Sequence, residues 1–157
     1  MRVVARYVHT NLIARDWRVL ARFYETVFGC VPVPPERSYG AAEVEAGSGV
    51  PGAGLEGVHL RLPGVGPGGP TLEVFQYSHL VEAPAPVANR PGFGHIAFSV
   101  ASVSDAHAEV LAHGGSPVGE IVDLVTNSGE RVRWCYVADP EGNILELQSW
   151  ESARKAS

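Results

Sequence analysis

Cysteine is scarce in this chain. Cys30 and Cys135 are the only two, and neither belongs to a Cys-x-x-Cys pair. A disulfide framework is not expected, and a reducing cytoplasm is the expected compartment. Long apolar runs are also missing. No stretch approaches the roughly 18 residues of a membrane span, and Met1 to Arg6 does not open like an apolar leader segment. Clusters of basic residues are lacking too. The formal net charge is −5, and Arg131 with Arg133 is the one notable basic pair. Phosphate neutralisation needs grouped Lys and Arg, so no nucleic-acid partner is expected, and no membrane partner either. What remains is a globular composition, 45% hydrophobic and 18% charged over 157 residues. That length suits one domain with a continuous apolar core.

Two similar halves follow one another. Tyr7 to Ile13 alternates as a strand does, and Asp16 is placed to cap a helix that runs to about Phe28 and stops at Gly29. Trp17, Leu20, Ala21, Tyr24 and Phe28 recur at helical spacing as one apolar face. Pro32, Pro34 and Pro35 forbid its continuation. Strands are expected around Tyr39 to Val44, Val58 to Leu62 and Thr71 to Tyr77, separated by Gly/Pro-rich loops at Gly47 to Gly57 and Pro63 to Pro70. The second half repeats the order: a strand over Phe93 to Val100, a cap at Ser102 or Ser104, and a helix ending at Gly114-Gly115. Strands over Glu120 to Thr126, Val132 to Ala138 and Asn143 to Trp150 complete it. The pattern is βαβββ twice, with module one at about 5–80, a Pro-rich linker at about 81–91 and module two at about 92–150, within one domain over 1–157.

Side chains repeat with the elements. His9-Thr10-Asn11-Leu12 stands where His95-Ile96-Ala97-Phe98 stands later, and Leu72-Glu73-Val74 matches Leu145-Glu146-Leu147. Because strand side chains alternate, His9, Glu73, His95 and Glu146 each oppose an apolar face. The apolar faces can cover the helices, which turns the His and Glu toward whatever the sheets enclose. A carboxylate in the middle of an apolar strand is costly to bury alone. Any one of these residues by itself reads as an ordinary surface position. Two imidazoles and two carboxylates on corresponding strands point instead to a shared cation: Zn²⁺, Ni²⁺, Co²⁺, Mn²⁺ or Fe²⁺.

At these positions the sequence resembles the vicinal oxygen chelate superfamily, and within it the glyoxalase I type. The most specific pieces are His9 followed by Asp16 and Phe23-Tyr24, then Gly94-His95-Ile96-Ala97-Phe98-Ser99-Val100, and Asp139-Pro140-Glu141-Gly142-Asn143-Ile144-Leu145-Glu146-Leu147. The resemblance implies an α+β fold in which two βαβββ modules pair into a cup-shaped mixed sheet. It also implies one divalent metal held by His9, Glu73, His95 and Glu146, and a homodimer. The implied activity is that of a lyase or isomerase like lactoylglutathione lyase. A proton moves between neighbouring carbons through an enediolate, with Glu146 or Glu73 as the base.

One departure bears on the substrate. Bacterial glyoxalase I enzymes usually carry an Arg and an Asn, both holding glutathione, where this chain has Ile13 and Tyr77. A different thiol conjugate, a CoA ester or another α-hydroxycarbonyl is therefore the expected small-molecule partner. The resemblance leaves three other activities open: CoA-ester epimerase, extradiol-type dioxygenase, and a bleomycin-resistance-like binder that sequesters its ligand without catalysis. Glu73 would be superfluous to a dioxygenase, and the full ligand set counts against a binder. His59 and Arg61 share a strand face and either line the cup or lie exposed. Phe75 and Tyr77 follow the phase of Glu73 as a candidate apolar wall.

Overall fold

The computed structural model describes residues 2–40, 42–82 and 84–151. The chain divides into two compact units between Glu82 and Ala83. The first contains β1 (His9–Ile13), α1 (Trp17–Phe28), β2 (Val31–Tyr39), α2 (Ala42–Ser48), β3 (Leu55–Arg61) and β4 (Thr71–Tyr77). Its sheet runs β1-β4-β3-β2, with β1 parallel to β4 and the other pairs antiparallel.

Asp16 begins α1 as expected. Its carboxylate accepts from the Arg18 and Val19 amides, which would otherwise lack intrahelical partners. Gly29, at φ +67°, ends the helix in the left-handed region that a side chain disfavours. The helix packs on β3 and β4. Trp17, Leu20, Ala21, Phe23 and Tyr24 are buried, as are Leu12, Val58, Leu60, Leu72 and Val74 on the sheet. Each large aliphatic side chain removed from water contributes about 1.5–3 kcal/mol, so this face dominates the unit's stability.

One expected element is corrected. The strand forecast for Tyr39 to Val44 ends at Tyr39, and Ala42–Ser48 is helical; Ala41 lies outside the described residues. Ala and Glu favour helix there, and Glu43 and Glu45 in the first turn suit the helix dipole. The strand lies earlier, through the prolines. Because β2 is an edge, Pro32, Pro34 and Pro35 interrupt only part of its ladder. The register shifts between Val33 and Arg37, and the Pro34-Pro35 peptide is cis.

The second unit contains β5 (Ile96–Ser99), α3 (Val103–Ala112), β6 (Ser116–Pro117), β7 (Val122–Val125), β8 (Arg131–Ala138) and β9 (Ile144–Glu151). Its sheet runs β5-β9-β8-β6, with β7 also on β8. Thus β6 and β7 together stand where β2 stands in the first unit. The cap is Ser102, whose hydroxyl accepts from the Asp105 amide. Beneath α3 lie Phe98, Cys135, Val137, Leu145 and Leu147, all buried. The turn into β9 is tied by Asp139, 2% exposed, whose carboxylate accepts from the Glu141 amide, the Asn143 amide and Asn143 Nδ2. The fold is α+β: the first unit runs βαβαββ and the second βαββββ, which is the expected βαβββ order with α2 inserted in one and the second strand split into β6 and β7 in the other.

Candidate metal centre

Register builds the first half of the site. On the sheet face away from α1, Val33, His59, Glu73 and Asn11 form one cross-strand row. One row is Val31, Arg61, Thr71 and His9; on the other side lie Arg37, Gly57, Phe75 and Ile13. A further row carries Tyr39, Leu55 and Tyr77 beside a cavity of about 450 Å³. The face therefore passes from imidazoles and a carboxylate to apolar and aromatic side chains.

Glu73 is at the centre and only 9% exposed. Its Oε2 lies 3.4 Å from His9 Nε2 and accepts from Asn11 Nδ2 at 2.7 Å. Its Oε1 lies 2.9 Å from His59 Nε2, and His59 Nδ1 lies 2.9 Å from Thr71 Oγ1. Burial lowers the His59 pKa, against the opposing pull of the Glu73 carboxylate. His9, His59 and Glu73 offer donor atoms all within 4.8 Å of one another, a group able to hold a metal ion.

The second unit carries the counterpart. His95, expected within a strand over Phe93 to Val100, instead immediately precedes β5, and its Nε2 lies 3.3 Å from Glu146 Oε2. Tyr136 is paired with Glu146 as His59 is with Glu73, and its ring lies 5.0 Å from that of His95. Burial, then the Glu146 charge, raises the Tyr136 pKa. Ala97 occupies the place of Asn11.

The donor chemistry fits a divalent cation. Two ligands each about 2.1 Å from one ion lie about 3.0–3.4 Å apart, and both His–Glu pairs have that spacing. The structure brings His9 to Glu73 and His95 to Glu146. It adds Asn11 and His59 as partners of Glu73, with Thr71 behind His59, which the sequence reading does not foresee. The signal was available: matching Val58-x-Leu60 against Leu72-x-Val74 in an antiparallel hairpin sets His59 opposite Glu73.

A strand–helix–strands order carrying one His–Glu couple thus recurs in both units of an α+β fold. The chain belongs to the Glyoxalase/Bleomycin resistance protein/Dioxygenase superfamily, whose model matches residues 6–147. A glyoxalase family protein from Bacillus cereus has a similar structure, with a TM-score of 0.80 at 17% identity over 96% of this chain and 97% of that one. A glyoxylase/bleomycin resistance protein/dioxygenase domain from Frankia sp. gives 0.60 at 17%, covering 95% of this chain and all of that one (100%). The trypanothione-dependent glyoxalase I of Leishmania major gives 0.59 at 23%, covering 93% and 87%. At these identities the likeness establishes the glyoxalase-like fold. A search of curated proteins finds no match. Among the described residues no helix is long and apolar enough to cross a membrane.

Proposed function

We propose that this chain is a divalent-metal-dependent lyase or isomerase of the glyoxalase I type, with His9, Glu73, His95 and Glu146 as its ligand set. The observation that carries the reading is the recurrence of one His–Glu spacing, 3.4 and 3.3 Å, between a His at or just before the start of each unit's first strand and a Glu on its last. One pair alone offers two ligands, fewer than the four or more a divalent cation takes, so the reading needs both. A Zn²⁺, Ni²⁺, Co²⁺, Mn²⁺ or Fe²⁺ ion would supply Lewis-acid stabilisation of negative charge on a substrate oxygen. Glu146 is the preferred base. It meets the single imidazole of His95, whereas Glu73 is engaged by His9, Asn11 and His59 and is the less free to turn toward a substrate carbon. Glu73 serves as the fixed ligand and the alternative base.

Ile13 and Tyr77 shape the substrate. They place apolar and aromatic surface where a glutathione site needs charge and amide, and Tyr77 borders the 450 Å³ cavity. A thiol conjugate other than glutathione, a CoA ester or an α-hydroxycarbonyl suits that surface better. A cytoplasmic homodimer acting on a small molecule completes the proposal. A second reading draws on the His9–His59–Glu73 group, since two His and one carboxylate with open positions are the ligand set of non-haem Fe²⁺ oxygenases.

Elemental analysis of protein purified without chelator, followed by assays with the methylglyoxal–glutathione hemithioacetal and a panel of CoA thioesters, tests these readings. Expected are one divalent ion per chain and glutathione turnover far below about 10 s⁻¹. Solvent deuterium should exchange into an accepted substrate, and Glu146→Gln should abolish that exchange. Exchange at the wild-type rate in both Glu146→Gln and Glu73→Gln would remove both glutamates as bases. Oxygen consumption with bound iron would favour the second reading.

A further inference from the structure

The three imidazole–carboxylate contacts made by Glu73 and Glu146 are not alike. His9–Glu73 and His95–Glu146 stand 3.4 and 3.3 Å apart, longer than the usual 2.7–3.2 Å hydrogen bond and matching two ligands of one ion. His59–Glu73 is 2.9 Å, an ordinary hydrogen-bond length. A carboxylate oxygen accepts only, so His59 Nε2 must carry the hydrogen; a bare nitrogen there would set two lone pairs against each other. The other ring nitrogen, Nδ1, lies 2.9 Å from the Thr71 hydroxyl, which can donate to a bare Nδ1. Both contacts are satisfied by one neutral tautomer. A ring nitrogen that bears hydrogen has no lone pair to give a metal.

From this geometry we infer that His59 is a positioning residue rather than a ligand: Thr71 orients its ring, and its Nε2–H holds Oε1 of Glu73 so that Oε2 faces His9. The inference rests on the metal reading above and adds to it the part of the chain that aims one ligand. Asn11 Nδ2 completes the clamp by donating to Oε2 at 2.7 Å, leaving that oxygen one further lone pair. The ring is itself confined, edge-on to His9 at 5.7 Å between centroids and to Phe75 at 6.0 Å. The second unit has no such arm among the described residues. Tyr136 faces Glu146 where His59 faces Glu73, Ala97 replaces Asn11, and Ile144 stands in the place of Thr71.

Two measurements decide it. Nitrogen NMR of His59 in metal-free protein reads the tautomer whether or not a metal is ever bound. Hydrogen on Nε2 with a bare Nδ1 is expected, and hydrogen on Nδ1 alone overturns the clamp. Co²⁺ titration then compares wild type with His59→Ala, His59→Gln and Thr71→Val, each checked for a native melting transition without metal. Loss of a contact that orients a ligand should weaken Co²⁺ binding about 10–100-fold in His59→Ala. The visible Co²⁺ spectrum should keep its coordination number. His59→Gln retains an N–H donor and should recover most of the affinity, with a smaller loss in Thr71→Val. A changed coordination number in His59→Ala would make His59 a ligand, and wild-type affinity in that variant would make the contact merely structural; either result overturns the inference. If wild-type protein binds no Co²⁺, the metal reading fails, while the tautomer still decides the Thr71–His59–Glu73 arrangement.

Discussion

The two units build the same His–Glu couple on opposite distributions of bulk. In the first, Gly57 faces Phe75 across β3 and β4, and the ring lies so close that a Cβ on Gly57 would meet Phe75 Cδ1 at 2.2 Å. In the second, the equivalent pair is Trp134 and Gln148: the large ring has moved to the neighbouring strand and the last strand carries the smaller side chain. The carboxylates differ in the same way. Glu73 is held by His9, Asn11 and His59, and Glu146 by His95. A duplicated backbone plan thus places the same chemistry twice while its surroundings diverge, leaving one glutamate fixed and the other freer to move.

The largest effect expected on this comparison is at Gly57. A Cβ there would also meet the Val74 carbonyl oxygen at 2.1 Å, and backbone cannot move aside cheaply. Gly57→Ala should lower unfolding stability by about 3 kcal/mol, at the upper end of overpacking costs; an unchanged urea midpoint would show that the rows are not so tightly fitted. Next comes Asp139, whose carboxylate ties only the second unit's turn. Asp139→Ala strands two backbone amides and should cost about 2 kcal/mol by the same measurement. The caps separate the units more finely. Asp16 accepts from two amides and Ser102 from one, so Asp16→Ala should cost about 1 kcal/mol and Ser102→Ala less. Equal losses would count against the number of amides capped as the cause.

The smallest effect is confined to alkaline solution. Burial, aided by the Glu25 charge, pushes the Cys30 thiol up to about 12 from an ordinary 9.0. The folded state then keeps a proton that the unfolded chain releases, so this contribution is intact below pH 9 and is lost as pH rises toward 12. Cys30→Ser should flatten the stability profile across that interval and leave its slope below pH 9 unchanged.

Much of this is legible in the sequence. Asp16 and Gly29 mark α1 because capping is local, and Leu72-Glu73-Val74 and Leu145-Glu146-Leu147 reveal their buried faces by alternation alone. The prolines of β2 misled because Pro is read as a breaker, and only the sheet order shows that β2 is an edge that tolerates it. The sequence alone leaves His59 between lining and exposure for a related reason. Its role depends on register with β4, which belongs to no single strand. Tyr136 carries no signal in the sequence, because it becomes relevant only through its pairing with Glu146.

The central claim is that one ion needs the His–Glu couples of both units. Its most direct test is Co²⁺ binding by His95→Ala, compared with wild type by stoichiometry and dissociation constant at one pH and ionic strength. The account predicts one ion per chain in wild type and a loss of affinity on the order of 100-fold or more in His95→Ala, since a direct ligand should matter at least as much as the contacts that orient one. Wild-type affinity in His95→Ala, together with lost binding in His59→Ala, would contradict it and assign the ion to His9, His59 and Glu73 of the first unit alone.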